Sequence, residues 1–145
     1  MKFLYDTYEN IAHNVKIHDK YIVVYGAGMI GTVWVPYFIQ KYQLCDRLLY
    51  YIDKDKRKQE STINIGSVEY AVKTTDYLRK IPKNVIILIT NSNYASIVKM
   101  LDEMEELRET EGYIVPILQV IHTHAYKQKY ELKTNKEQLI PKKIH

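Results

Sequence analysis

The sequence is poor in cysteine and has no long apolar run. Its 145 residues include one cysteine, Cys45, which excludes an internal disulfide framework and a cysteine-rich zinc module. The longest wholly apolar stretches, such as residues 85–89, are far too short to span a bilayer. Charged residues appear at Lys2 and Asp6, before a secretory hydrophobic region could form. We therefore expect a cytoplasmic protein without a membrane span, and neither a secreted disulfide scaffold nor a zinc finger.

An excess of basic charge is also missing from most of the chain. The formal net charge is +4, and all of it lies in the last 24 residues, which hold six lysines and two glutamates. Nucleic-acid-binding proteins usually spread basic charge over a folded face. A solvated final helix and tail explains the charge better, so we expect no nucleic-acid partner.

The composition, 46% hydrophobic and 26% charged, is that of one ordinary globular domain. Apolar periodicity predicts helices over residues 4–17, 29–42, 76–81, 95–108 and 122–132. It predicts strands over residues 21–25, 48–52, 85–90 and 113–120. Between the second and third of these strands we expect a loop over 53–60 and an extended segment over 62–72 that is broken at Gly66. We expect Pro36 to kink or weaken the second helix. We expect Gly112 to end the helical region before the last strand.

Strands that alternate with helices of this length indicate a parallel sheet with helices on both faces. The predicted fold is therefore α/β, a Rossmann-like three-layer domain with a mostly parallel sheet of about five strands. An N-terminal amphipathic helix should pack on the edge of that sheet. The expected organisation is an N-terminal helix over 1–19, a Rossmann-like nucleotide-binding domain over 20–133, and a linker or tail over 134–145.

The first predicted strand runs directly into a complete G-x-G-x-x-G motif, Gly26-Ala27-Gly28-Met29-Ile30-Gly31. The motif opens a predicted helix, and Asp53 closes the next strand about 20 residues later, as in dinucleotide-binding domains. Gly26 would permit the sharp turn, Gly28 would let the backbone approach a pyrophosphate, and Gly31 would allow close packing of helix and strand. Amides at the helix N-terminus would favour an anion. A glycine turn that binds no ligand is the alternative interpretation.

The acidic residue and a second polar segment complete the predicted site. Asp53 would accept hydrogen bonds from ribose hydroxyls. Its negative charge would repel a 2′-phosphate, so Asp53 favours NAD over NADP. The positive charges of Lys54 and the basic residues after it oppose that preference. Polar residues after the strand over 85–90 would face the same crevice, but Ser92 or Asn93 could instead cap the next helix. The predicted cofactor-binding residues are Gly26, Ala27, Gly28, Met29, Ile30, Gly31, Asp53, Lys54, Thr90 and Asn91.

No convincing catalytic or metal-binding set accompanies this motif. Tyr37 and Lys41 match the spacing of the short-chain dehydrogenase pair, as do Tyr50 and Lys54, but both pairs fall in the wrong elements. The motif His122-x-His124 offers two ligands at most and has no acidic or cysteine cluster beside it. We therefore predict no catalytic residue and no metal site.

Three segments together resemble a known group of domains. Residues 25–31, 52–58 and 85–89 follow the order strand–YGAGxxG–helix–strand–IDxDxxK–extended segment–short helix–VIIxI–helix. This order resembles the N-terminal Rossmann-like domains of bacterial surface- and capsular-polysaccharide biosynthesis proteins, over about residues 20–110. The resemblance implies that the domain binds a nucleotide or a nucleotide sugar.

The last six residues, Ile140-Pro141-Lys142-Lys143-Ile144-His145, resemble the opening strand of a capsular-polysaccharide glycosyltransferase domain. This resemblance implies that the chain is the N-terminal part of a glycosyltransferase, with a catalytic domain downstream and the metal-binding acidic motif outside these residues. The ligand we expect is NAD(H) or a nucleotide sugar. Two alternatives remain open, a small NAD-dependent oxidoreductase or nucleotide-sugar-modifying enzyme, and a ligand-free assembly module that forms a homodimer.

Overall fold

The computed structural model describes residues 1–115, which form an α/β domain. Its strands are β1 (Lys2–Leu4), β2 (Tyr21–Tyr25), β3 (Leu48–Ile52), β4 (Thr62–Ile65), β5 (Val68–Lys73), β6 (Val85–Ile89) and β7 (Glu111–Ile114). Its helices are α1 (Tyr8–Ile17), α2 (Val35–Lys41), α3 (Lys56–Gln59) and α4 (Tyr94–Asp102), with a π-helical turn (Ile30–Trp34) before α2 and two 3₁₀ turns (Thr75–Lys80 and Glu105–Leu107). The helix predicted over 122–132, the end of the last predicted strand and the predicted tail lie outside the described residues.

One sheet contains all seven of these strands, in the order β1-β7-β6-β2-β3-β5-β4. Every neighbouring pair is parallel except the β4–β5 hairpin. With β2 central, β3 and β5 on one side and β6 and β7 on the other, the inner five strands follow the order 3-2-1-4-5 of a doubly wound nucleotide-binding sheet. The predicted Rossmann-like fold is confirmed. The sheet is two strands wider than predicted, because β1 and β4 extend its two edges.

The alternating side chains of the buried strands divide the core into two layers. In β2, Ile22 and Val24 face the layer that holds α1 and α2, whereas Val23 and Tyr25 face the layer that holds α4. All five residues of β6 are at most 1% exposed, as expected of a central strand covered on both faces. Parallel pairing that sets Tyr25 opposite Ile89 places the carboxyl ends of β2 and β6 side by side.

The N-terminal segment differs from the prediction. Residues 2–4 form β1, and the helix begins only at Tyr8, after Thr7, whose hydroxyl accepts a hydrogen bond from the Asn10 N–H at 3.2 Å. Helix α1 packs on one face of the sheet through Ile11 and Val15, while β1 occupies the edge. A strand of three residues is too short to show a period of two, and the apolar Leu4 extends the helical pattern by coincidence.

Three smaller predictions were also wrong. Gly112 lies inside β7, where a Cβ would overlap the Met1 side chain, and it does not end the preceding region. The helix predicted over 95–108 stops at Asp102, and a 3₁₀ turn follows it. The loop predicted over 53–60 contains α3, which Asp55 caps by accepting a hydrogen bond from the Arg57 N–H.

An ion pair joins the segment before β2 to the edge of the sheet. Lys20 Nζ donates to Glu111 Oε1 at 2.7 Å, and each side chain is about one quarter exposed. This hydrogen bond lowers the pKa of Glu111 below its ordinary value of 4.5, despite the opposing effect of burial. Because the pKa of Glu111 is lower in the folded than in the unfolded protein, its ionised carboxylate stabilises the fold at pH values above the unfolded-state pKa. This stabilisation is lost as the pH falls through the folded-state pKa.

We therefore expect Glu111→Gln to lower the free energy of unfolding at pH 7 by up to about 1 kcal/mol. The difference from the parent protein should disappear below the lowered pKa of Glu111, because the parent carboxyl is then also neutral. Urea denaturation at several pH values measures this. Glu109→Gln is the control, since Glu109 is exposed. An equal loss in both variants, or a loss that persists in acid, would contradict the assignment.

Candidate functional site

A cleft of about 310 Å³ lies at the carboxyl end of the sheet, where three strands end. It is lined by Gly26, Gly28, Met29 and Ile30 after β2, by Asp53, Lys54, Asp55 and Lys58 after β3, and by Thr90, Asn91 and Ser92 after β6. The chain leaves β2 toward β3 on one side, whereas β6 pairs with β2 on the other side. The cleft is therefore at the topological switch point, where ligands bind in open α/β sheets. It contains eight of the ten residues predicted from sequence.

Two glycines of the turn are required by the protein's own structure. Gly26 has a φ of +115°, and a Cβ there would lie 2.6 Å from Thr90 Oγ1. A Cβ on Gly31 would overlap the carbonyl oxygen of Gly26. Gly31 is buried and does not line the cleft. These two positions match the turn and packing roles predicted from the motif.

The fold itself does not require a glycine at position 28. Its φ is not in the left-handed region, and the nearest heavy atom to an added Cβ would be Lys58 Nζ at 3.5 Å. That atom is the far end of a flexible side chain, so the folded chain has room for an alanine there. The missing side chain at Gly28 therefore keeps open the space inside the cleft.

Asp53 connects the glycine turn to the end of β3. Its Oδ2 accepts the Ala27 N–H at 2.8 Å, and its Oδ1 accepts the Asp55 N–H at 2.8 Å. The side chain is 8% exposed. A carboxylate has about four lone-pair positions, so two remain after these hydrogen bonds. Ala27 thus contributes through its backbone and not by lining the cleft, which the motif alone did not predict.

The segment after β6 holds the turn from the other side. The hydroxyl of Thr90 is buried and lies 3.0 Å from both the Tyr25 and the Gly26 carbonyl oxygens, to which it donates. Asn91 Oδ1 is buried and has no hydrogen-bond partner within residues 1–115. Asn93 is the N-cap of α4, but its side chain makes no capping hydrogen bond. Capping therefore does not account for the polar residues of this segment.

Two lysines bring positive charge to the cleft. Lys54 is exposed and Lys58 is half-buried, and neither forms an ion pair within the part of the chain that the structure describes. Asp55 pairs instead with the exposed Arg57, whose hydrogen bond lowers the pKa of Asp55. Lys58 was not among the predicted site residues. The signal that could have identified it is its position three residues after the helix cap Asp55.

The glycine turn continues into a π-helical turn, which Pro36 explains. The Val35 N–H donates to the Ile30 carbonyl five residues earlier, and Pro36 has no N–H to continue the ladder. The Gly31 carbonyl instead accepts a hydrogen bond from the buried Tyr51 hydroxyl at 2.7 Å. Burial raises the pKa of Tyr51, so its hydroxyl stays protonated and able to donate. The expected weak turn at Pro36 is confirmed, and a side chain from β3 supports it.

Of the two tyrosine–lysine pairs considered as catalytic candidates, only Lys54 lines the cleft. Lys41 Nζ lies 5.8 Å from the centroid of the Tyr37 ring, and neither residue lines the cleft. The Tyr50 ring packs against that of Tyr77, with centroids 5.5 Å apart. Residues 1–115 contain no group of three potential metal ligands and no helix long and apolar enough to cross a membrane. The His122-x-His124 motif lies outside the described residues.

Fold and cleft together define a Rossmann-like α/β domain with a glycine-rich turn at its switch point. No family model matches the sequence, and no curated protein matches it. Among solved structures, the chain is similar to the crystal structure of RSP, a Rex-family repressor, with 16% sequence identity and a TM-score of 0.45. The match covers 88% of this chain and 70% of that one.

The glycine geometry predicts that two similar substitutions have different effects on stability. Gly31→Ala should lower the free energy of unfolding by about 1–3 kcal/mol or more, because the new methyl group overlaps the Gly26 carbonyl. Gly28→Ala should change it by less than about 0.5 kcal/mol, since the position is open. Urea denaturation of both variants measures the difference. Equal stabilities would show that the turn is not packed as described.

The Tyr51 hydrogen bond gives a second stability prediction. Tyr51→Phe should cost about 1–2 kcal/mol, because the Gly31 carbonyl loses its hydroxyl donor in a buried environment. Tyr50→Phe is the matched control on the same strand, where the ring packs against Tyr77. If both variants lose the same stability in thermal denaturation, the Tyr51 hydroxyl does not support the turn.

Proposed function

We propose that this domain binds a nucleotide, with the phosphates over the glycine turn. The observation that carries the proposal is the open space at Gly28. Gly26 and Gly31 are required by the fold, but Gly28 is not, so the absent side chain serves the cleft. A backbone without a side chain at that position is what close approach to a pyrophosphate requires.

The charges around the turn support a phosphate ligand. The N–H groups at the start of a helical segment have no partners within the helix and carry a partial positive charge. Lys54 and Lys58 add two ammonium groups at the rim of the cleft. Asp53 and Asp55 also line the cleft, so the two lysines and the amides of the turn would bind the phosphates as local donors and not through a net positive charge.

The ligand we propose is NAD(H) or a nucleotide sugar. Asp53 lines the cleft at the end of β3, and its two remaining lone-pair positions could accept ribose hydroxyls. The Asn91 carbonyl oxygen lacks a partner within residues 1–115, and a ligand hydroxyl would recover the cost of that unmade hydrogen bond, about 1–3 kcal/mol. These two acceptors lie on opposite sides of the glycine turn.

We further propose that the domain acts in bacterial surface-polysaccharide synthesis, as the N-terminal, non-catalytic part of a glycosyltransferase. The support is the resemblance of residues 25–31, 52–58 and 85–89 to such domains, and of residues 140–145 to the start of a transferase domain. Within the described residues, the cleft contains only Lys54 of the two tyrosine–lysine pairs that have dehydrogenase spacing. Its role would be to bind the nucleotide for a neighbouring domain.

A thermal-shift panel tests nucleotide binding directly. The ligands are NAD, NADH, NADP, UDP, UDP-sugars and dTDP-sugars, applied to the parent protein and to Gly28→Val. Ligand at about 100 times its Kd stabilises by about 2.7 kcal/mol, which for a domain of this size raises Tm by roughly 5–10 °C. Gly28→Val should abolish the shift and leave the unliganded Tm nearly unchanged, since the valine occupies the ligand's space.

Ala95→Val is the matched control, because Ala95 is exposed on α4 and does not line the cleft. It should keep the full ligand response. A panel with no shift at millimolar ligand would overturn the proposal and favour the assembly module. Reduction of NAD by the chain alone, with a candidate sugar substrate present, would favour the oxidoreductase alternative.

A further inference from the structure

We propose that Lys58 is the residue that makes the cleft select a diphosphate, by placing its ammonium group opposite the backbone of Gly28. This inference rests on the proposed nucleotide-binding function and adds to it a residue and a ligand class. The cleft would bind ADP or UDP more tightly than the corresponding monophosphate, and the nucleoside least.

The position of Lys58 is held by contacts at both ends of α3. Asp55 caps the helix by accepting the Arg57 N–H at 3.0 Å, and Gln59 Nε2 donates to the Asp53 carbonyl at 2.7 Å. Lys58 therefore extends from a short helix that is tied to the end of β3. Its Nζ lies 3.5 Å from the point that a Cβ on Gly28 would occupy.

The ammonium group of Lys58 forms no ion pair within residues 1–115. Lys58 is half-buried, and its charge is among the causes that lower the pKa of Asp55, although the two side chains form no ion pair. Here Asp53 accepts two backbone N–H groups, and Asp55 is paired with Arg57. Without an ion-pair partner, the ammonium group remains available to a ligand, and it lies beside Gly28, where the chain leaves room for a side chain.

A phosphate placed beside Lys58 and Gly28 would find better hydrogen-bond partners there than a sugar or a base. A phosphoryl oxygen can accept from the ammonium group and from backbone N–H groups at once, and hydrogen bonds between charged partners are the strong ones. A second phosphate adds charge in the same cleft. Recognition would then depend mainly on the diphosphate, which NAD(H) and nucleotide sugars share.

Isothermal titration of the 145-residue chain tests this inference. The probes are ADP, UDP, AMP, UMP, adenosine, uridine and inorganic pyrophosphate, applied to the parent protein, Lys58→Gln, Lys58→Arg and Lys56→Gln. Lys56 is the matched control, because it is exposed on the same short helix and does not line the cleft. Lys58→Gln should raise the Kd for ADP or UDP about tenfold or more, the loss of one charge-assisted hydrogen bond.

Lys56→Gln should change that Kd less than about twofold, and Lys58→Arg should retain most of the affinity because the charge is kept. Adenosine and uridine should bind equally to the parent protein and to Lys58→Gln. If ADP or UDP binds more tightly than the nucleoside but Lys58→Gln and Lys56→Gln behave alike, this inference is wrong and the proposed function stands. If the nucleoside binds as tightly as the diphosphate, the phosphates are not recognised, and both this inference and the placement of the phosphates over the glycine turn are wrong. If no nucleotide binds the parent protein, both fail.

Discussion

The carboxylate of Asp53 is the constraint on which the geometry of the cleft depends. By accepting N–H groups from Ala27 and Asp55, it joins the turn after β2 to the segment after β3. Thr90 makes the corresponding connection from β6, through the Tyr25 and Gly26 carbonyls. Three adjacent parallel strands therefore end in one hydrogen-bonded unit. A turn held in this way loses little conformational entropy on binding a ligand, which is the benefit of preorganisation.

The two dominant features of the glycine turn have different physical origins. The sharp bend at Gly26 and the close approach at Gly31 are consequences of packing, since any Cβ would meet the chain itself. The π-helical turn that follows is a consequence of covalent structure, because Pro36 cannot donate the next hydrogen bond. Tyr51 compensates by donating to the Gly31 carbonyl from β3. The start of the helix is thus supported from the same strand that supplies Asp53.

Much of the fold could be predicted from sequence because its strongest signals are local. Strands β2 and β3 have the predicted bounds. In β2, the run of β-branched residues is the pattern expected of a strand that is buried on both faces. The edges could not be predicted. Residues 2–4 are too few to show a period, and their pairing with β7 depends on residues about a hundred positions away.

The candidate site shows the same division between local and tertiary information. The motif predicted where the turn lies and which glycines serve it, because spacing and residue type determine those roles. It could not predict that Ala27 would act through its N–H group, or that the Thr90 hydroxyl would hold the turn. Lys58 was missed as a site residue because its approach to Gly28 depends on how α3 is anchored. Such contacts arise only once the strands are side by side.

The pairing of β1 with β7 also has a consequence for the order in which the domain can form. Lys2 lies opposite Glu111 and Leu4 opposite Tyr113, so this edge joins the two ends of the described chain. During synthesis on the ribosome, β1 emerges first and has no strand to pair with until β7 has followed. The inner strands can pair before that time, whereas the pair of β1 with β7 forms last. Contacts of such long range are slow to form, so this edge should govern when the sheet becomes complete.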